Sequence, residues 1–151
     1  MLKLSRLTDY AVAALVRLST AEGVETSPGI AASIGVPEPT VAKVLKALAG
    51  QGLVISTRGA RGGYRLGRGL EEVSVAEVIC AIDGPIALTS CVEGATGGCG
   101  SQSLCPVAGR WDPVNEAIRT ALSKITLADM AAAALPPGLR LPVSEPMNEV
   151  A

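Results

Sequence analysis

The stretch "PTVAKVLKALAGQGLVISTRGARGGYRL", Pro39 to Leu66, decides the fold. Its first part repeats at three- and four-residue steps. Val41, Val44, Leu45 and Leu48 form one apolar stripe, as in an amphipathic helix. Thr40, Lys43, Lys46 and Ala47 fall away from that stripe, and Gly50 and Gly52 stop the helix. The second part changes period. β-Branched Val54, Ile55 and Thr57, a glycine-rich turn, then Tyr64 and Leu66 predict a hairpin with its tip at Gly59–Gly63. Arg58 and Arg61 lie at that tip, with Arg65 and Arg68 beyond it.

Upstream, "TSPGIAASIG" predicts a short helix. Ser27 is its expected cap, Pro28 its first helical residue and Gly35 its end. Before it, Leu4, Leu7, Ala11, Ala14, Leu15 and Leu18 predict an amphipathic helix over about Leu4–Leu18. Two helices joined by a tight glycine turn make a helix-turn-helix, which any small helical core can contain. The hairpin that follows makes it a winged one. Glycine-lined backbone carrying Arg can enter a minor groove without steric conflict, and Arg is drawn to the negative potential there. A plain structural turn would not need such a run of glycines and arginines.

Charge agrees with this. Residues 1–68 hold nine Lys and Arg against four Asp and Glu, a net of +5, and residues 69–151 hold four against ten, a net of −6. A basic first half facing a polyanion is the simplest reading. The chain has 151 residues and 48% apolar residues, enough for one packed domain, but only Tyr10, Tyr64 and Trp111 as aromatics. The core is therefore expected to be aliphatic and the fold mainly α with a small β-wing.

After Gly69, "EEVSVAEVICAIDG" predicts a helix capped by Ser74 with Glu77 completing a capping box. Cys80 falls among Val75, Val78, Ile79 and Ile82 and is expected to be buried as a small hydrophobe. Then comes "CVEGATGGCGSQSLC", Cys91 to Cys105, with spacing C-x7-C-x5-C in a chain that has no histidine. Beyond it, Trp111, Val114, Ile118, Leu122 and Ile125 form a near-heptad stripe on a helix from about Asp112. The core of the first 68 residues is expected to be already closed, so this stripe points to a second copy of the chain. "TLADMAAAAL" adds a short helix capped by Thr126, and the tail from Pro136 carries no pattern and is expected to be mobile. The expected organisation is a winged helix-turn-helix over 1–68, a connecting helix and linker over 69–90, a cysteine loop over 91–105, a long dimerisation helix with a short terminal helix over 106–135, and a tail over 136–151.

Several classes are excluded. No apolar run is long enough to span a bilayer. Asp9 and Arg17 interrupt the apolar N-terminal stretch that a signal peptide would need, so the chain is expected to be cytoplasmic, with no membrane partner. Four cysteines in a reducing compartment point to metal or redox chemistry rather than structural disulfides. No nucleophile–base constellation or phosphate loop is present, which argues against an enzyme.

Thiolates take zinc, copper(I) or iron–sulfur clusters. Structural zinc sites bring cysteines in close pairs, which this loop lacks. Longer gaps suit a larger object, and glycines let backbone N–H groups approach a cluster's sulfides. A zinc loop, a thiol–disulfide switch and a loop with no ligand remain as rival readings.

"RLTDYAVAAL", "PTVAKVLKAL", "TRGARGGYRL" and "SVAEVICAIDGPIALTSC", followed by the three-cysteine loop, together resemble the Rrf-two (Rrf2) family of winged-helix regulators, over about residues 1–134. The match is of the IscR/NsrR-like kind and looks most like the branch that regulates SUF iron–sulfur assembly genes. The resemblance implies a homodimer bound to a double-stranded DNA operator, with affinity set by an iron–sulfur cluster of two- or four-iron form. It puts the recognition helix on Pro39 to Lys46 and wing contacts on Arg58 and Gly59. The DNA-facing set is then Ser27, Pro39, Thr40, Lys43, Lys46, Arg58, Gly59 and Arg61. It puts cluster ligands on Cys91, Cys99 and Cys105. Family members with a histidine after the third cysteine have no counterpart here, where Pro106, Val107 and Ala108 stand. Asp9 of the partner subunit matches the acidic fourth ligand of NsrR-like members; Glu93, Cys80 and a small exogenous ligand are the other candidates. A nitric-oxide or redox sensor with the same fold is the second reading. An electron carrier or scaffold without DNA function is the third.

Overall fold

The computed structural model describes residues 3–95 and 97–132. Helix α1 (Arg6–Ser19) is capped by Ser5, and α2 (Ser27–Ile34) and α3 (Glu38–Gly50) follow. The expected stripe of α3 is the buried one: Val41, Val44, Leu45 and Leu48 are all closed to solvent. Gly35 ends α2 in the left-handed conformation, as anticipated. The cap does not match: Thr26 accepts from the Gly29 N–H, and Ser27 is already the first helical residue. Thr26 and Ser27 are both cap formers, and local sequence does not choose between them.

The hairpin is present as β1 (Val54–Thr57) paired antiparallel with β2 (Gly63–Leu66), with Val54 opposite Leu66 and Thr57 opposite Gly63. Its turn is made by Gly59 at φ +104° and by the Gly62 N–H donating to the Gly59 carbonyl at 2.9 Å. Glu25 adds a partial third strand. Its N–H donates to the Tyr64 carbonyl at 2.9 Å, and it accepts from the Tyr64 N–H at 2.7 Å. A Cβ at Gly63 would collide with the Glu25 carbonyl, so that position is closed to other residues. The Glu25 carboxylate in turn holds Arg17 of α1 at 2.7 Å. The β2 side of the wing is thus fastened to the helical body through Glu25.

A short 3-10 turn (Leu70–Glu72) leads to α4 (Val75–Asp83), where the Ser74–Glu77 capping box forms as read from sequence. Helix α5 (Asp112–Lys124) packs on α4, and α6 (Leu127–Ala131) closes the described chain. The core is not closed at residue 68. Val73, Val75, Val78, Ile79, Ile125 and Leu127 join the residues of α1 and α3 in one cluster. Two hydrogen bonds pin this return: Val75 N–H to the Ile125 carbonyl and Leu127 N–H to the Val73 carbonyl, both 2.8 Å. Alternation of apolar residues cannot show that a segment fifty residues downstream completes the same core. The C-terminal stripe is divided accordingly. Ile125 is buried, Ile118 and Leu122 are half-buried, and Trp111 and Val114 are each 43% exposed. Helix α5 has thirteen residues. The tail 136–151 lies outside the described residues, as do 133–135. None of the described helices is long and apolar enough to cross a membrane.

Candidate nucleic-acid interface and cysteine loop

Burying one stripe of α3 fixes the opposite face. Lys43 and Lys46 are exposed and Thr40 is half-buried, one helical step apart on the same side. Pro39 is exposed in the first turn. Ser27 is not free: its hydroxyl donates to Glu38 Oε1 at 3.1 Å, which ties the start of α2 to the start of α3. That bond positions the start of α3, a role the sequence did not suggest for Ser27. Arg58, Gly59 and Arg61 are all exposed at the wing tip. Arg65 is exposed on β2, facing away from the partly covered Tyr64 and Leu66.

Arg68 is set apart from these. Its guanidinium donates to Glu77 Oε1 at 2.6 Å and to the Glu72 carbonyl at 2.5 Å. The hydrogen bond to Glu77, followed by that residue's charge, holds the Arg68 pKa above its ordinary value. Partial burial pushes the Glu77 carboxyl up. The Ser74 backbone N–H, the Arg68 guanidinium and the Ser74 hydroxyl outweigh it and hold the pKa below its ordinary value. Arg68 is therefore engaged with the cap of α4, unlike the exposed arginines at the wing tip.

The cysteine loop is built differently. Cys91, Cys99 and Cys105 are free thiols, each partly exposed, and Thr89 Oγ1 lies 3.1 Å from the Cys91 sulfur. Val92 is buried, and the Glu93 N–H reaches Asp112 Oδ1 at 3.4 Å. From Ala95 to Arg110 the described backbone hydrogen bonds only close local turns, such as Gln102 N–H to the Cys99 carbonyl and Ala108 N–H to the Cys105 carbonyl. Among the described residues no three His, Cys, Asp or Glu side chains stand together as a group able to hold a metal ion. The three thiols thus suit a thiophilic centre by donor chemistry, while the loop as folded does not gather them. Asp9 is exposed in the first turn of α1, outside any such group among the described residues. Cys80 is a correction. It is exposed, not buried, and shares a surface groove with Pro85, Glu93 and Arg119. The buried face of α4 is taken by Val75, Ala76, Val78 and Ile79, and Cys80 follows directly after it.

Two polar residues that sequence reading passed over hold this half of the molecule. Asn115, 3% exposed, accepts from the Leu88 N–H at 2.9 Å and donates to the Ile86 carbonyl at 3.1 Å. Thr8, 1% exposed, donates to Asp83 Oδ2 at 2.8 Å, and Ser5 donates to the same oxygen at 3.0 Å. A lone Asn or Thr on a helix carries no sequence signal of a partner far along the chain.

The sequence profile of Rrf2, described as an iron-dependent transcriptional regulator, matches residues 4–133. A Mycobacterium tuberculosis protein of the HTH-type transcriptional regulator class is 35% identical over 141 residues, covering 89% of this chain and 84% of its own. Among solved structures, IscR of T. potens shares 32% identity at a TM-score of 0.61 and covers 87% of each chain. CymR, the global cysteine regulator of B. subtilis, shares 27% identity at a TM-score of 0.66, covering 87% of this chain and 98% of its own. These relatives are regulators of transcription, not enzymes.

Proposed function

Because the chain belongs to the Rrf2 family of transcriptional regulators, we propose that it is an iron–sulfur-sensing DNA-binding regulator, of iron–sulfur assembly (SUF-type) genes. The observation that carries this reading is the division of labour in one chain. An exposed basic face on α3 and an arginine-tipped wing are held rigidly, and three free thiols lie on a loop held by local turns. The first arrangement suits a double-stranded operator: Thr40, Lys43 and Lys46 face the major groove, and Arg58 and Arg61 face the minor groove or phosphates. The second suits a ligand that comes and goes. Cys91, Cys99 and Cys105 would hold the cluster once the loop draws them together, and Asp9 of the partner subunit would supply the fourth donor. Bound there, a cluster provides a centre that oxygen or nitric oxide can destroy.

A homodimer is part of the proposal. Ile118 and Leu122 of α5 are only half-buried and line a groove of about 780 Å³ with Leu4, Ile86 and Leu88. A second copy of the chain covers this apolar surface and sets two recognition helices on one palindrome, half-sites spaced by about one DNA turn, ~34 Å, or a multiple of it.

Anaerobic purification with iron and sulfide counts, visible absorbance and solution mass tests the reading. The expected result is a particle of twice the chain mass with iron and acid-labile sulfide. Cys91→Ser, Cys99→Ser and Cys105→Ser should each lose the absorbance, and Asp9→Ala should shift it and shorten its lifetime in air. Zinc without sulfide, or no metal in the anaerobic protein, overturns the cluster. An Asp9→Ala spectrum and lifetime equal to the parent's returns the fourth position to Glu93 or an exogenous ligand.

A further inference from the structure

How the loop and the DNA-reading helices are joined rests on the proposed reading, and the structure carries it one step further. The segment 83–88 leaves α4 and leads into Thr89 and Cys91. It is fastened at both ends by the two unheralded polar residues. At its start, Asp83 is the last residue of α4, where the negative end of the helix dipole disfavours a carboxylate. The Ser5 and Thr8 hydroxyls, at 3.0 and 2.8 Å, offset that cost and clasp the first turn of α1 to α4. At its far end, Asn115 is the single fully buried residue of α5. Both sides of its amide are spent on the backbone of Ile86 and Leu88. Helix α5 packs on α4 through the half-buried Ile118 and Leu122, whereas the buried Asn115 amide spends its bonds on the passing loop. It fixes the loop to the helix.

We infer that Asp83 and Asn115 are positioning residues that couple the cysteine loop to the recognition helix. Neither belongs to the proposed DNA-facing set, and their side-chain bonds go to Ser5, Thr8, Ile86 and Leu88. When the loop draws Cys91 toward Cys99 and Cys105, the pull reaches residues 86–88. Asn115 makes α5 follow. Asp83 makes the first turn of α1 follow. Helix α1 packs on α3, with Ala11, Ala14, Leu15 and Leu18 in the same core as Val41, Val44, Leu45 and Leu48. A close-packed interface of this kind shifts as a body rather than deforming, so a tilt of α1 is passed to the face that carries Thr40 and Lys43.

The test is a double-mutant cycle on DNA binding, with a duplex selected by the parent protein from a random-sequence pool. The loop is altered by combining Cys91→Ser, Cys99→Ser and Cys105→Ser. In the parent background this should change affinity by about fivefold or more, the lower end of ordinary site–site coupling. With Asp83→Ala the same loop change should alter affinity by less than about twofold, the scatter expected of independent sites. Asn115→Ala should act alike. Asp83→Asn should restore the loop effect, because an amide oxygen still accepts from both hydroxyls. A loop effect of parental size in Asp83→Ala at parental melting temperature overturns the inference. Where Asp83→Ala does not fold, Thr8→Val removes the buried hydroxyl at constant shape and carries the same test. No loop effect in the parent background overturns the proposed reading itself, and the inference with it.

Discussion

The winged helix-turn-helix and the cysteine loop lie in one small chain but are held by different forces. In the first, the helices and the base of the wing are tied to partners far along the chain. α3 buries four aliphatic side chains, the wing pairs with Glu25, and Glu25 is clamped by Arg17. In the second, one buried side chain, Val92, and one bond from Glu93 tie a glycine-rich loop to the body, and the rest of its described backbone bonds are local. Local stability follows such differences, because segments with few buried contacts open at low cost. The contrast is what a switch requires. A rigid surface reads DNA only in one geometry, and a loosely held loop can be reshaped by a ligand.

The largest expected effect breaks or supports this contrast directly. Leu45 is fully buried between α3 and the core, and Leu104 in the cysteine loop is 89% exposed. Leu45→Ala should cost about 2–5 kcal/mol of unfolding free energy, as large-to-small core changes do. Leu104→Ala in the metal-free protein should stay within about 0.5 kcal/mol of the parent, as for surface changes. Denaturant melts of the two variants measure both. A loss at Leu104 comparable to that at Leu45 would mean the loop is packed in solution, and the two regions would not differ in kind.

The same two residues show why part of the molecule was legible in the sequence. Leu45 sits in a run whose period is its own evidence, so the stripe, the hairpin and the Ser74–Glu77 cap all follow from nearby residues. The cysteine spacing names a chemistry but no geometry, and the three thiols are not brought together in the fold. What could not be read depends on distant pairing. Thr8 meets Asp83 across seventy-five residues, Asn115 meets Ile86 across twenty-nine, and Ile125 completes a core begun at Ala11. Cys80 was misplaced for a finer reason. It follows directly after the buried face of α4, and a short helix of nine residues gives too few repeats to fix the angle of that face.

A smaller effect sharpens the boundary of the proposed DNA-facing surface. Arg58 is exposed at the wing tip, while Arg68 is held by Glu77 and the Glu72 carbonyl. Arg58→Ala should weaken binding of the selected duplex by about 1–3 kcal/mol if the side chain reads a base edge. If it meets only phosphate, affinity should fall on all sequences and the salt slope should drop by about one unit. Arg68→Ala should change neither quantity. Fluorescence anisotropy across a salt series separates the cases. Equal losses for both arginines would extend the basic surface past the wing, and no loss at Arg58 would remove the wing from recognition.

The smallest expected effect is in acid, and it belongs to the rigid half. Glu77 caps α4 through the Ser74 N–H and pairs with Arg68, and its pKa is held below the ordinary carboxylate value of 4.5. A carboxyl that is more acidic folded than unfolded adds stability while it is ionised in both states. That contribution is complete above the unfolded value, near pH 4.5, and is lost as pH falls through the lowered folded value. Both side chains of the pair are about two-fifths exposed, so solvent screens it and the contribution is modest. Melting temperature measured from pH 7 down to about 3 should therefore fall less steeply in Glu77→Gln than in the parent below pH 4.5, with the two curves offset and parallel above it. Gln keeps an acceptor for the Ser74 N–H, so the difference in slope reports the charge and not the cap. Sodium chloride should narrow the gap by screening the Arg68 pair. Curves that stay parallel throughout would show that the Ser74–Glu77–Arg68 cluster holds the start of α4 by hydrogen bonding alone.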